Sequence, residues 1–195
     1  MKIIGITGGV GAGKSAILAY FKEAHEAIVI EADKVGHLLM APGGACYKKI
    51  IETFGEDLVK EDQTIDRGKL GAIVFANEER LGYLNKIVHP EVKQWITKEI
   101  EKERIKGETK LLVIEAALLI EDHYDEICDE LWYIHTSEEV RRKRLKESRG
   151  YSDEKIAGIM ANQLSPEQFQ ESCQIVIENS GLLEDTYRQI DKQLG

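Results

Sequence analysis

Residues 8 to 15, GGVGAGKS, place four glycines in six positions ahead of a lysine and a serine. Gly8, Gly13, Lys14 and Ser15 satisfy G-x-x-x-x-G-K-S/T, with an apolar run of strand length before them and a helical pattern after, the setting in which this spacing cradles phosphate. Glycines at 8, 9, 11 and 13 leave no Cβ in the way, so successive N–H groups, that of Ala12 included, can turn inward toward phosphate oxygens. The N-terminus of the following helix adds partial positive charge. Lys14 supplies a point charge for the β- and γ-phosphates, and Ser15 offers a hydroxyl oxygen to Mg2+. The loop is expected to bind a nucleoside triphosphate with Mg2+; a glycine-rich turn with an exposed lysine is the plain alternative.

Ligands of a parallel sheet bind at the carboxyl edge of its strands, so the residues that follow each strand-like run are the next candidates. Glu31 and Asp33 follow the second run, Glu115 the third, His135 the fourth and Asn179 the fifth. Asp33 has the side chain that a hydroxyl acceptor requires, a carboxylate to take or orient its proton during in-line attack on a γ-phosphate. A helix N-cap is the competing reading. Glu115 reads either as a carboxylate holding magnesium through water or as a solvated strand end. His135 reads as a strand-end histidine, and Asn179 as the cap of a turn before Gly181. From Arg141 to Arg149 the chain runs RRKRLKESR, six cations and one anion. These arginines are either a solvated helix face or, on a mobile segment, partners for the charge on a transferring phosphoryl group.

The elements that must position these groups follow from the apolar pattern. Runs at 2–7, 27–32, 110–116, 130–135 and 174–179 are rich in Ile, Val and Leu without alternation, as in strands buried on both faces of a parallel sheet. Helical patterns separate them, so the class is α/β: five parallel strands flanked by helices. The long gap between the second and third runs carries helical spacing instead: Leu70, Ile73 and Val74, then Leu81, Leu84 and Val88, then Val92, Ile96 and Ile100. Pro90 suits the first turn of the last of these helices. A helical insert is therefore expected at 37–107. Thr136 and Glu139 match a capping box opening the arginine-bearing helix, GYS at 150–152 ends it, and a second helix runs from about Ser152 to Gln163. Residues 139–163 thus read as a helical lid, and 1–36, 108–138 and 164–195 as the nucleotide-binding core.

Composition narrows the function. The chain has 195 residues, 43% hydrophobic and 31% charged, with three prolines; one full core, or a core with a small appendage, fits that length. No apolar run reaches the roughly 18 residues of a membrane helix, and the opening MKIIGITGG lacks the apolar core of a secretory signal, so a cytoplasmic location is expected. A net charge of −9 argues against a nucleic-acid surface. Against it, the arginine segment is locally +5, which leaves −14 for the remainder. Cys46, Cys128 and Cys173 are widely spaced and suggest neither a disulfide framework nor a zinc site. DKVG at 33–36 fits a GTPase D-x-x-G but follows the wrong strand, and no N-K-x-D occurs. A small-molecule kinase needs only what is present.

Nearly the whole chain resembles the dephospho-CoA kinases, P-loop enzymes that phosphorylate the ribose 3'-hydroxyl of dephospho-coenzyme A. The resemblance is carried by IGITGGVGAGKS, EAD, DRGKLGAIVF with LNKIVHPEV, IEAALLIE and VIENSG. It implies ATP as donor, Gly11 to Ala16 as the ATP loop, Asp33 as base, a coenzyme-A-binding insert, and a lid holding Arg141, Arg144 and Arg149. It also places His89, before Pro90, near the substrate domain, and His89 is taken with Asp33 and the strand-end Glu115 as a substrate-binding candidate. The implied product is coenzyme A, at the last step of its synthesis. Glu31 departs from the family's first aspartate and Ala117 from its proline. The lid spacing R-L-x-x-R breaks because Ser148 takes the second arginine's place and Arg149 comes one later. A kinase of another nucleoside, nucleotide or small alcohol, and a nucleotide-dependent regulatory protein, remain the rival readings.

Overall fold

β1 (Lys2–Thr7), β2 (Ile28–Glu31), β3 (Leu111–Glu115), β4 (Glu130–His135) and β5 (Ile175–Glu178) form one sheet in the order β2-β3-β1-β4-β5. The computed structural model describes residues 1–195. β1 lies between β3 and β4, parallel to both, with Ile6 opposite Glu115 on one side and Trp132 on the other. The strand order changes direction at β1, so the crevice that ligands use in such sheets opens beyond its carboxyl end. That is where GGVGAGKS begins. No helix is long and apolar enough to cross a membrane.

The chain divides into two compact units, Met1–Val29 with Lys106–Gly195, and Ile30–Ile105. In the first, Ile4, Ile6, Trp132, Ile134 and Ile177 from the sheet pack with Ile17, Phe21 and Ile190. The last three come from α1 (Lys14–His25) and α9 (Leu183–Leu194). Phe21 meets Trp132 edge-on with ring centroids 5.8 Å apart. Each such side chain contributes roughly 1.5–3 kcal/mol on burial, which anchors the start of α1, and hence the loop before it, to the sheet. α6 (Glu138–Arg149), α7 (Asp153–Ala161) and α8 (Pro166–Ser172) lie between β4 and β5.

The second unit is helical: α2 (Ala32–Leu39), α3 (Tyr47–Phe54), α4 (Arg67–Phe75) and most of α5 (Glu78–Lys106), with a 3-10 turn at Glu56–Leu58. A single antiparallel bridge joins Val59 to Ile65. The Asp66 carboxylate caps α4, accepting from the N–H groups of Gly68 and Lys69 at 3.0 Å.

Three local expectations need correction, and one alternative reading falls. The runs at 27–32 and 174–179 do form strands, but β2 and β5 sit at the sheet edges, where Ile30 and Ile177 alone are buried. An edge strand has one pairing neighbour and less cover, so an unbroken apolar run does not guarantee two buried faces. Pro90 opens no helix; it lies inside the 29-residue α5. An interior proline costs about 3 kcal/mol. Buried Val92, Ile96 and Ile100 return roughly 1.5–3 kcal/mol each, so one continuous helix wins. Ser137, not Thr136, caps α6, its hydroxyl accepting from the Val140 N–H. Asp33 is not an N-cap either, because α2 starts one residue before it.

Candidate active site

The phosphate loop is built from its glycines outward. Gly13 precedes α1 with φ 83°, and a Cβ there would lie 2.7 Å from Asn179 Nδ2. At Gly9 a Cβ would lie 2.3 Å from the Arg141 guanidinium. A side chain at either position would displace a polar group that holds the loop. The backbone N–H groups of Gly11, Gly13 and Ser15 meet no protein acceptor, whereas that of Ala12, expected to face phosphate, donates to the Gly9 carbonyl at 3.0 Å; α1 has neither a side-chain cap nor an acidic residue in its first turn. These unpaired donors and the helix terminus form an anion site.

One carbonyl anchors this geometry. Ala12 is buried, and its oxygen accepts from Asn179 Nδ2 at 2.6 Å, Thr136 Oγ1 at 3.1 Å and Arg144 Nη1 at 3.3 Å. A carbonyl has two lone pairs, so three donors saturate it and turn the peptide's N–H side away from them. Asn179 is itself fixed, its Oδ1 accepting from the Thr186 hydroxyl at 2.9 Å, and all three side chains of Asn179, Thr136 and Thr186 are buried. Arg144 also donates to the Asn179 carbonyl at 2.9 Å.

A second tie holds Val10. Its N–H donates to Gln163 Oε1 at 3.2 Å and its carbonyl accepts from Arg141 Nε at 2.9 Å, while Arg141 Nη2 donates to the same Gln163 oxygen at 2.6 Å. Burial lowers the Arg141 pKa from its ordinary value, as expected for an enclosed cation. Lys14 Nζ donates to the Gly8 carbonyl at 2.7 Å and lies 3.5 Å from Glu115 Oε1, both side chains being mostly buried. A lysine reaching back across its own loop fills part of the space a phosphate would take.

Not every candidate joins this cluster. Arg149, at the far end of α6, lies over the Tyr151 ring at 5.9 Å from its centroid, and Ser148 bonds to the Arg144 carbonyl of its own helix. Arg142 pairs with Glu138 at 2.7 Å. His135 pairs with Glu178 across the β4–β5 register. In the second unit, Asp33 is exposed in the first turn of α2, Glu31 pairs with Lys34 at 2.9 Å, and His89 is half-buried within α5.

The oxygens available near the loop suit a hard cation. Ser15 Oγ is exposed without a partner, Glu115 brings a carboxylate, and the buried Thr7 hydroxyl, one residue before Gly8, has no hydrogen bond. Hydroxyl and carboxylate oxygens are ligands that Mg2+ accepts directly or through water.

A sequence model of the dephospho-CoA kinase family matches residues 2–185. The chain belongs to the dephospho-CoA kinase family. The dephospho-CoA kinase of Carboxydothermus hydrogenoformans is 41% identical over 191 residues, covering 97% of this chain and 91% of that one. A crystal structure from Thermus thermophilus superposes with a TM-score of 0.82 at 27% identity, covering 99% of this chain and 96% of that one. The dephospho-CoA kinase from Campylobacter jejuni, at 23% identity and a TM-score of 0.72 over 100% and 96% of the two chains, shares the fold. In this member of the dephospho-CoA kinase family, sequence reasoning missed Thr136, Gln163 and Thr186 and took Asn179 for a turn cap. Asn179 was marked by its place after the fifth strand but read as a turn cap, and Thr136, which follows β4 at the same edge, could have been marked in that way; nothing in the sequence marked Gln163 or Thr186.

Proposed function

We propose that this dephospho-CoA kinase transfers the γ-phosphoryl group of ATP to the ribose 3'-hydroxyl of dephospho-coenzyme A with Asp33 as general base. The 3'-oxygen forms a bond to γ-phosphorus and the bond to the β,γ-bridging oxygen breaks. Its electron pair leaves on ADP and the hydroxyl proton passes to the Asp33 carboxylate. The observation that carries the donor half is the triply held Ala12 carbonyl, which leaves loop N–H groups free of protein acceptors. Asp33 is supported by its chain position two residues beyond β2 and by its exposed carboxylate.

Lys14 trades the Gly8 carbonyl for phosphate oxygens. Gly8, Gly9, Gly11, Ala12, Gly13, Ser15 and Ala16 complete the ATP loop with Arg141 at its side. Ser15 and Glu115 would hold Mg2+, which when bound neutralises charge on the β- and γ-phosphates. Residues 139–163 act as the lid. Arg144 steadies the loop there, and Arg149, with no hydrogen-bonded partner, answers charge on the transferring phosphoryl group. Residues 37–107, with His89, take the acceptor. Three free cysteines suit a reducing compartment such as the cytoplasm.

ADP release measured with dephospho-coenzyme A, other nucleosides and water tests the acceptor. We expect stimulation by dephospho-coenzyme A alone; equal stimulation by another nucleoside, or none above water, overturns the reading.

A further inference from the structure

α6 carries cations of two kinds. Arg142 donates to the Glu138 carboxylate at 2.7 Å, and Lys146, one turn later, pairs with Asp153 at 2.8 Å. Arg141 and Arg144 lie against the phosphate loop instead, and neither makes an ion pair. Their guanidinium groups donate only to uncharged oxygens: Arg141 to the Val10 carbonyl at 2.9 Å and Gln163 Oε1 at 2.6 Å, Arg144 to the carbonyls of Ala12 and Asn179 at 3.3 and 2.9 Å. Burial lowers the Arg141 pKa by more than Tyr133 and Glu138 raise it. An enclosed cation with no carboxylate against it costs free energy, and the loop beside this one is built for an anion.

Of these acceptors Gln163 alone is a side chain, so it is the one whose chemistry depends on residue type. It sits half-buried in the short turn between α7 and α8. Asn162 Nδ2 fixes one end of that turn, donating to the Gly158 carbonyl at 3.1 Å, and the Ser165–Gln168 capping box fixes the other. Both partners of Gln163 donate, so its amide presents oxygen to them. The same oxygen accepts from the Val10 N–H at 3.2 Å, which sets the guanidinium relative to the loop itself. There the guanidinium fills the space that a side chain at Gly9 would take, next to the Gly8 carbonyl that holds Lys14 Nζ. A glutamate at 163 would accept from the same two donors more strongly, but it would neutralise Arg141 as Glu138 does Arg142.

We infer that Gln163 is a positioning residue for the phosphate donor: it holds Arg141 against the loop through an uncharged oxygen and so leaves the positive charge of Arg141 for the triphosphate. The inference rests on ATP as the ligand of the loop. Gln163 touches no reacting atom and acts through Arg141, whose remaining N–H donors suit phosphate oxygens.

Calorimetry with ATP and Mg2+, beside thermal unfolding of the same preparations, separates this role from a merely structural tie. Gln163→Glu keeps both hydrogen bonds and should unfold at or above the temperature of the parent, yet bind ATP about tenfold more weakly or worse. Gln163→Ala should lose about tenfold in ATP affinity as Arg141 is released. In an Arg141→Ala background the same Gln163→Ala change should cost less than about twofold, because the two residues act as one unit. A Gln163→Glu protein that binds ATP as the parent does overturns the inference, and so does an undiminished loss from Gln163→Ala once Arg141 is gone. If the parent itself takes up no ATP, the reading of the loop fails and the inference with it; if the parent binds ATP and the Gln163 variants match it, the inference alone fails.

Discussion

The two units of this kinase hold their polar groups in opposite ways. In the first, the loop is tied by buried side chains: Asn179, Thr136 and Arg144 converge on one carbonyl, and Arg141 with Gln163 clamps Val10. In the second, Asp33, His37 and Arg67 are all exposed, and a single hydrogen bond joins two of them. The difference teaches where organisation is built in before substrate arrives. A triphosphate must be met by many aligned donors at once, which favours a site fixed in advance. A hydroxyl acceptor needs one base and a few charged contacts, which exposed side chains can complete on binding.

Substitutions can break that comparison. Among substitutions in the loop and the α6 segment, Lys14→Ala should act most strongly, lowering kcat about 10²- to 10³-fold in steady-state assays, because it removes charge from the transferring group. Asn179→Ala should come next. It strips the Ala12 carbonyl of its shortest bond and leaves the Thr186 hydroxyl without Asn179 Oδ1, so stability should fall by about 1–3 kcal/mol in thermal unfolding. The KM for ATP should rise about tenfold as the loop loosens. Arg149→Ala should lower kcat several-fold, about tenfold at most, with ATP affinity unchanged, since its guanidinium touches no loop atom in this structure. Arg142→Ala, which removes a surface pair with Glu138, should stay within about twofold in every constant. If Arg142→Ala equals Arg144→Ala in effect, the distinction between loop-holding and solvated arginines of α6 fails.

Much of this was legible in the sequence, and the residues show why. β1 and β4 fall at 2–7 and 130–135 as the apolar runs predict, because central strands of a parallel sheet are apolar throughout. β2 and β5 were legible as strands but not as edges, since edge position depends on topology that no local window contains. The loop was legible because phosphate binding dictates residue types over eight consecutive positions. Asn179 and Gln163 were not, because they act on Ala12 and Val10 from more than 150 residues away in the chain. Thr136 illustrates a local rule losing to a distant partner: its hydroxyl donates to the Ala12 carbonyl, so the neighbouring Ser137 caps α6. Arg149 was singled out by charge, which marks the segment but not which arginines reach the loop.

Asp33→Asn, with ATP affinity by calorimetry and single-turnover transfer to dephospho-coenzyme A measured on the same preparation, tests the central claim most directly. We expect ATP affinity within about twofold of the parent and a transfer rate lowered about 10²- to 10⁴-fold. A transfer rate near that of the parent would contradict Asp33 as the base, and a matching loss of ATP affinity would contradict a donor site complete without it.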